Sequence, residues 1–224
     1  MHISSSAPKY KLAVFDIDGT LIDTEKTGVL SLMRTISELM GKDMPYSEAY
    51  TYFGIPSAKV AGMLGYTGEE DFGERWEENF IALAHLISPF PGVMEMMAEV
   101  KRRGILTGIV TSRSRFELEY DKMLAKMLHC FDEVVCAEDT VRHKPSPDPL
   151  LECIRRVSRN SGCLLSPADC LYLGDTEHDW KCACGAGCDF ALADWKARGT
   201  AGIEAQYVFT DAQGVLDILG CAHR

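Results

Sequence analysis

The stretch AVFDIDGTLIDTE, residues 13–25, sets two carboxylates directly behind an apolar run. The run Leu12–Phe15 is apolar at every position and predicts a strand that is buried on both faces. Asp16 and Asp18 follow at its end. Two unit charges about 4 Å apart repel each other by roughly 4 kcal/mol at an effective dielectric constant near 20. We therefore expect a cation, a proton or a reaction to offset this repulsion.

The bulk composition indicates a globular protein with one large α/β domain, or a core domain with an insertion. The 224 residues carry a net charge of −10, which argues against a nucleic-acid-binding protein because such proteins present a basic face. The apolar runs are far shorter than the roughly 18 residues of a membrane span, and the first residues lack the apolar centre of a secretory signal. We expect a cytoplasmic protein that needs neither a membrane nor a nucleic acid, and nothing in the pattern demands more than a monomer.

The nine cysteines are an odd number in a chain without a secretory signal, which favours reduced thiols over a disulfide framework. Cys182, Cys184 and Cys188 form the tightest cluster. Small buried residues on and after one helix are one interpretation of it. A structural zinc site is the other, although a fourth ligand at the customary spacing is missing. Both interpretations stay open at this point.

Short β-rich runs alternate with helical stretches along most of the chain, which predicts βαβ units and a parallel sheet. The predicted strands are Lys11–Asp16, Ile105–Thr111, Glu133–Cys136, Cys170–Gly174, Phe190–Ala193 and Tyr207–Thr210. The predicted helices between them are Val93–Arg103, Phe116–Leu128, Pro147–Arg159 and Gly214–Leu219. The fold class is therefore α/β, built around a parallel sheet.

A helical segment interrupts this alternation after the first strand. Residues 24–87 contain no convincing strand and predict helices over Thr24–Met40, Ser57–Leu64 and Asp71–Ile87, separated by glycines and prolines. We expect a core domain of residues 1–21 and 88–224 and an inserted helical subdomain of residues 22–87.

Polar residues follow four of the predicted strands. They are Asp16 and Asp18, then Thr111-Ser112, then Lys144-Pro145, and finally Gly174-Asp175 with Asp179. Each group alone has a structural explanation as a helix cap, a turn or a solvated surface residue. Ligands of an open parallel sheet bind at the carboxyl ends of its strands, so the four groups together predict one crevice.

The four groups resemble the four motifs of the haloacid dehalogenase superfamily. The resemblance rests on D-x-D-G-T at Asp16–Thr20, on Thr111-Ser112, on Lys144-Pro145 and on G-D-x-x-x-D at Gly174–Asp179, and it covers nearly the whole chain. The helical insertion stands where that superfamily has its first type of cap. The resemblance therefore implies a Rossmann-like three-layer core around the parallel sheet, with an inserted α-helical cap subdomain. The resemblance is to the branch of phosphoglycolate phosphatase, β-phosphoglucomutase and the pyrophosphatase-like proteins.

The resemblance implies a phosphatase that acts on a small phosphorylated metabolite through an aspartyl-phosphate. Asp16 would be the nucleophile, Asp18 the general acid and base, Thr111 a phosphoryl-oxygen donor and Lys144 the neutralising cation. A Mg²⁺ ion would be held by Asp16, Asp18 and Asp175, with Asp179 supporting a ligand. An aspartate at position 18 disfavours dehalogenase and phosphonatase chemistry, which protonates no ester oxygen.

Ser112 and Arg113 are candidates for substrate binding, although an exposed arginine at a helix start is the simpler interpretation of Arg113. Two alternatives to the phosphatase remain. One is a phosphomutase that resembles β-phosphoglucomutase, and the other is a protein that binds a phosphometabolite without turning it over. The sequence does not identify the substrate.

Overall fold

The computed structural model describes residues 9–199 and 202–220, and these residues form two compact units. The first unit ends at Ile22 and resumes at Pro89, and the second is Asp23–Ser88. The second unit is thus inserted into the first. Ile22–Asp23 and Ser88–Pro89, where the chain crosses from one unit to the other, form a two-stranded sheet.

The remaining elements alternate as the sequence predicts. The strands are Leu12–Phe15 (β1), Ile22–Asp23 (β2), Ser88–Pro89 (β3), Leu106–Val110 (β4), Glu133–Val135 (β5), Cys170–Gly174 (β6), Asp189–Ala193 (β7) and Tyr207–Phe209 (β8). The helices are Glu25–Met40 (α1), Tyr46–Ala49 (α2), Ser57–Met63 (α3), Phe72–Ala82 (α4), Val93–Arg102 (α5), Arg115–Tyr120 (α6), Asp148–Ser161 (α7), Glu177–Ala186 (α8) and Ala212–Leu219 (α9). Short 3₁₀ turns occur at Tyr50–Tyr52, Ala84–Leu86, Leu124–Lys126, Leu128–Cys130, Ala137–Asp139 and Pro167–Asp169. Within the described ranges, no helix has both the length and the apolar character of a membrane span.

The six strands of the first unit form one parallel sheet in the order β5-β4-β1-β6-β7-β8. The chain moves outward from β1 on one side and then returns to continue on the other side, so the strand order reverses at β1. Phe15 of β1 pairs with Ile109 and Leu173, which puts the ends of β1, β4 and β6 at one edge. Open α/β sheets bind ligands outside that edge at the reversal point.

Burial explains why these segments form strands. Every residue of β1 and β6 is buried, as a strand covered on both faces requires. Leu12, Val14 and Tyr172 pack with residues of α7 and α8 in one apolar cluster. The Rossmann-like parallel fold predicted from the sequence is confirmed.

The second unit is helical, as predicted. Its core consists of Val29, Leu32, Ile36, Ala49, Val60 and Phe72. Helices α1 and α4 pack together, and Trp76 of α4 donates its indole N–H to the Ser31 hydroxyl at 2.8 Å. Asp71 caps α4 by accepting the backbone N–H of Glu74 at 2.9 Å.

One predicted helix is wrong. The stretch 116–128 is not a continuous helix, since α6 ends at Tyr120 and two 3₁₀ turns follow. Asp121 is the cause, because its backbone is extended and its carboxylate accepts the N–H groups of Met123 and Leu124. Such side-chain bonds compete with the helical backbone ladder and start a new turn. The predicted helix over residues 71–87 likewise ends early, at Ala82.

Candidate active site

Asp16 begins the site at the end of β1. Its backbone N–H continues the sheet by donating to the carbonyl oxygen of Leu173 at 2.9 Å, so the position of its side chain is fixed by the strand. The side chain is only 8 % exposed, and its Oδ1 accepts a hydrogen bond from Lys144 Nζ at 2.6 Å. Burial, with help from the carboxylates of Asp179 and Asp18 and against the effect of Lys144, raises the pKa of Asp16 to about 7.

Lys144 is the cation at the centre of the site. Its ammonium group donates to Asp16 Oδ1 and to Asp179 Oδ1 at 2.7 Å, and it lies 3.3 Å from the Tyr172 hydroxyl. The side chain is 6 % exposed. Burial alone would lower the pKa of Lys144, but the two carboxylates outweigh it and hold the pKa above its usual range. Lys144 therefore stays charged at neutral pH.

Asp179 is held from several sides. It lies in the first turn of α8, where Thr176 caps the helix by accepting its N–H and donates its own hydroxyl to Asp179 Oδ2 at 2.5 Å. Its Oδ1 accepts hydrogen bonds from Lys144 and from the Tyr172 hydroxyl, the latter at 2.8 Å. Burial works against the charge, but these donors, with Lys144 the strongest, keep the pKa of Asp179 below its ordinary value. Asp179 is thus an ionised anchor for Lys144.

Asp175 has a different environment. It follows β6, and burial together with the Asp16 and Asp179 carboxylates raises its pKa well above the ordinary value. Its Oδ1 is buried and has no hydrogen-bond partner. Gly19 passes directly beside it at φ +82°, where an added Cβ would overlap the carboxylate. A glycine is required here both by the backbone angle and by the space.

The donor set fits a divalent cation. Oxygen atoms of Asp16, Asp175 and Asp179 lie within 4.8 Å of one another. With Lys144 as the one cation beside three carboxylates, the cluster carries a net charge of −2 when all four groups are ionised. All-oxygen sites of this charge suit Mg²⁺. Both oxygens of Asp179 already accept hydrogen bonds, whereas Oδ1 of Asp175 does not, so Asp175 is the better ligand.

Asp18 lies two residues beyond Asp16 and has another partner. The guanidinium group of Arg113 holds its carboxylate through two hydrogen bonds, from Nε at 2.7 Å and from Nη2 at 2.6 Å. The third nitrogen of Arg113 donates to Asp121 Oδ2 at 2.7 Å. The Asp18 side chain remains 39 % exposed while that of Arg113 is 11 % exposed. Arg113 is thus not an exposed arginine, and it precedes the helix, which begins at Arg115.

Thr111 and Ser112 directly follow β4, at the same sheet edge. The Thr111 backbone N–H donates to Val135, and its hydroxyl accepts the Arg113 backbone N–H at 3.1 Å. Thr111 is buried and Ser112 is exposed. The structure brings Asp16, Lys144, Asp175 and Asp179 together in one cluster and joins Asp18 to Arg113.

Sequence reasoning missed Tyr172 and Asp121. Tyr172 is the one residue with a polar side-chain group among the five of β6, and a hydroxyl inside a buried strand is a signal that requires a partner. Asp121 offered no comparable signal, because an aspartate within a predicted helix has many explanations.

The cysteine cluster does not form a metal site. Within the described part of the chain, the one group of His, Cys, Asp or Glu residues arranged to hold a metal is Asp16, Asp175 and Asp179. Cys182 and Cys188 are buried and Cys184 is exposed, and all three are free thiols. Burial raises the pKa of Cys182 to about 12, so this thiol is inert at neutral pH.

A family model described as haloacid dehalogenase-like hydrolase matches residues 13–193, well over half of the chain and all of the site residues above. The chain belongs to this family. The membership predicted from the four motifs is thereby confirmed.

Known proteins from several bacteria align with this chain over nearly the full length. Pyrophosphatase PpaX of Bacillus mycoides is 27% identical, over 94% of this chain and 97% of its own. A crystal structure from Lactobacillus plantarum, assigned provisionally as a phosphoglycolate phosphatase, is 25% identical and has a TM-score of 0.78 over 94% of this chain and 99% of that one. CbbY from Rhodobacter sphaeroides, crystallised in complex with phosphate, shares the fold at 21% identity, with a TM-score of 0.70 over 91% and 95% of the two chains.

Proposed function

We propose that this protein is a Mg²⁺-dependent phosphatase that hydrolyses a small phosphorylated metabolite through an aspartyl-phosphate on Asp16. The observation that carries the proposal is the arrangement of Asp16, which is buried, bonded to Lys144 and beside the unpaired Asp175 oxygen. A buried salt bridge is weak evidence for stability, whereas a buried carboxylate beside a fixed ammonium is what phosphoryl transfer needs.

The proposed reaction has two half-reactions, the formation of the aspartyl-phosphate and its hydrolysis. One carboxylate oxygen of Asp16 attacks phosphorus in line with the ester oxygen, and Asp18 gives that leaving oxygen its proton. Asp18 then removes a proton from the water that attacks the phosphoryl group and breaks its bond to Asp16. Lys144 neutralises charge on Asp16 and on the phosphoryl oxygens, and Thr111 and Ser112 donate hydrogen bonds to those oxygens.

Asp16, Asp175 and the backbone carbonyl of Asp18 would hold the Mg²⁺ ion. When bound, the ion supplies positive charge against the developing charge of the phosphoryl group. Asp179 keeps Lys144 in place and stays outside the ligand set, since hydrogen bonds already occupy both of its oxygens.

The test is hydrolysis of p-nitrophenyl phosphate by the purified protein with Mg²⁺. We expect turnover that excess EDTA removes and added Mg²⁺ restores, and we expect Asp16→Asn to abolish it. Asp189→Asn is the matched control, because Asp189 also accepts a hydrogen bond from a buried group, Tyr10, but lies at the start of β7. Unchanged turnover in excess chelator, or an active Asp16→Asn variant, would contradict the proposal.

A panel of phosphorylated metabolites then identifies the substrate class. Pyrophosphate and phosphoglycolate belong at its head, because proteins similar to this one carry those names. Released phosphate distinguishes a phosphatase from a phosphomutase, which would convert glucose 1-phosphate to glucose 6-phosphate with a bisphosphate primer. A panel without any turnover would favour a binding protein.

A further inference from the structure

Arg113 makes two charged contacts beside the site that the proposed mechanism does not use. Its guanidinium group lies between two carboxylates, Asp18 on one side and Asp121 on the other. All three of its nitrogens donate hydrogen bonds, at distances between 2.6 and 2.7 Å. Every guanidinium nitrogen therefore has a carboxylate partner. Arg113 would have to break one of these hydrogen bonds to bind a substrate phosphate.

The bond between Arg113 and Asp18 fixes a direction as well as a distance. The Nε and Nη2 atoms each donate to a different oxygen of Asp18. A planar fork on a planar carboxylate restricts rotation of that carboxylate, which a single contact would not do. The Asp18 side chain remains 39 % exposed with the fork in place, so solvent reaches it beside Arg113.

Asp121, on the other side of Arg113, is held in place by the backbone. Its side chain is 4 % exposed, and its Oδ1 accepts the backbone N–H groups of Met123 and Leu124 at 2.9 and 2.8 Å. Its Oδ2 accepts from Arg113 Nη1. The backbone of the turn after α6 therefore fixes the position of Asp121. Because Arg113 is bonded to both carboxylates, the fixed position of Asp121 also restricts where Asp18 can lie.

We propose that Arg113 is a positioning residue that, braced by Asp121, aims the Asp18 carboxyl group at the leaving oxygen of the substrate. This inference rests on the proposed function, because Asp18 is its acid and base. The step it serves is one proton transfer. As the phosphorus–oxygen bond of the ester breaks and Asp16 forms its bond to phosphorus, the proton of Asp18 moves to the departing oxygen.

The experiment compares two aryl phosphates that differ by one para-nitro group, p-nitrophenyl phosphate and phenyl phosphate, in the full-length protein with Mg²⁺. p-Nitrophenolate leaves readily without a proton, whereas the more basic phenolate depends on Asp18. Misplacement of a catalytic group by about 1 Å can cost on the order of 100-fold. We expect Arg113→Met to lower kcat/KM for phenyl phosphate by about 10- to 100-fold. The loss with p-nitrophenyl phosphate should stay below about threefold.

Arg115→Met is the matched control. Arg115 lies two residues further along, is 54 % exposed and pairs with Asp139, and we expect unchanged ratios between the two substrates. Arg113→Lys keeps the charge but loses the fork, so it should behave as Arg113→Met does. If Arg113→Met does not fold, the kcat/KM values of Arg113→Lys for the two substrates provide the same test.

Three outcomes would overturn the inference. They are equal losses on both substrates, full activity of Arg113→Lys, and an equal effect of Arg115→Met. A wild-type protein that hydrolyses neither substrate would instead overturn the proposed function itself, so the two failures are distinguishable.

Discussion

At the scale of single residues, Lys144 bonds to one carboxylate that is proposed to react, Asp16, and to one that holds it in place, Asp179. A buried ammonium group between two carboxylates requires excellent geometry to recover its desolvation cost. That geometry depends on a third oxygen, the hydroxyl of Tyr172, which lies 2.8 Å from Asp179 Oδ1 and 3.3 Å from Lys144 Nζ. The hydroxyl is buried, and it also contacts the carbonyl oxygen of Val110 at 3.3 Å.

Removing this hydroxyl should reduce turnover. In Tyr172→Phe, Asp179 loses one donor, and Lys144 gains freedom to move away from Asp16. A hydrogen bond to a charged group is worth about 1.5–3 kcal/mol, and 1.36 kcal/mol corresponds to tenfold in rate. We expect kcat for p-nitrophenyl phosphate to fall roughly tenfold, as steady-state kinetics with Mg²⁺ would show.

Tyr10→Phe is the control for this prediction. Tyr10 is equally buried, and its hydroxyl donates a hydrogen bond to Asp189 at 2.5 Å. Tyr10 precedes β1, so it lies away from the carboxyl ends of the strands, where the candidate site is. Both variants lose a buried hydrogen bond to an aspartate, so both should lose thermal stability. If kcat falls equally in both, the Tyr172 hydroxyl has no specific role at Lys144.

Gly19 is a second position at which a single added atom should change the activity. Gly19→Ala adds a methyl group that would overlap the Asp175 carboxylate, and it does so at φ +82°. We expect turnover with Mg²⁺ to fall more than about tenfold, because a carboxylate displaced by about an ångström no longer serves the site. Titration of the activity with Mg²⁺ should also show a higher half-saturating concentration.

Gly104→Ala separates the backbone strain from the overlap. Gly104 has φ +72° but has nothing within 4 Å of an added Cβ. The substitution should cost about 1 kcal/mol of stability, as a left-handed alanine does, and leave kcat unchanged. Equal kinetic losses in both alanine variants would show that strain alone explains the effect at Gly19.

At the scale of the elements, sequence patterns predict strands better than helix ends. All six strands of the parallel sheet were predicted within about a residue or two, because a strand buried on both faces is apolar throughout. The helix over 116–128 failed at Asp121, whose side chain bonds to the turn and to Arg113. The end of the helix at Asp121 thus depends partly on Arg113, eight positions earlier, and a local sequence pattern does not contain this contact. The short helix Tyr46–Ala49 was missed for lack of a full apolar period.

The packing of α7 on β4 gives a prediction about the buried thiols. A Cβ added to Gly108 of β4 would overlap the sulfur of Cys153 in α7. Gly108→Ala should therefore destabilise the protein by about 1–3 kcal/mol, as overpacking of a core usually does. Urea unfolding followed by circular dichroism measures this loss.

A second substitution tests whether the overlap is the cause. Cys153→Ala removes the sulfur, so the double variant should be more stable than the sum of the two single losses predicts. Asp71→Ala, which removes the cap of α4 in the other unit, should add independently to Gly108→Ala. A double variant Gly108→Ala/Cys153→Ala with purely additive losses would show that the thiol does not limit the space.

At the scale of the whole molecule, the order of the strands explains why the clustering of the candidate site residues could be predicted from the sequence. Strand order reverses at β1, so the segments after β1, β4 and β6 reach one sheet edge although they are some 160 residues apart along the sequence. The sequence predicts that these residues converge because each group follows a strand of the sheet, and the structure brings four of them together, namely Asp16, Lys144, Asp175 and Asp179. Tyr172, Asp121 and the exact partner of Arg113 depend on side-chain packing, which the linear pattern does not contain.

Stability as a function of pH should reveal the charge balance of the site. Burial and neighbouring carboxylates raise the pKa of Asp16 to about 7 and also raise that of Asp175. Without a divalent cation, the native state then holds protons that the unfolded state has released between about pH 4 and pH 7. Stability contributed by these groups therefore falls as pH rises through this window. Asp179, with its lowered pKa, acts in the opposite sense and only near or below pH 4.

Mg²⁺ should reverse this trend, because it binds the deprotonated carboxylates and replaces their protons. At about 100 times its Kd, a ligand adds roughly 2.7 kcal/mol, which is about 5–10 °C in Tm for a protein of this size. We expect that increment at pH 8 and a clearly smaller one at pH 6 with the same Mg²⁺ concentration, measured by thermal unfolding with and without EDTA. Asp175→Asn should lose the increment at both pH values, whereas Asp189→Asn, whose carboxylate lies at the start of β7, should keep it. Equal increments at pH 6 and pH 8 in the wild type would mean that the ion does not compete with protons on Asp16, and the ligand set would have to be sought elsewhere.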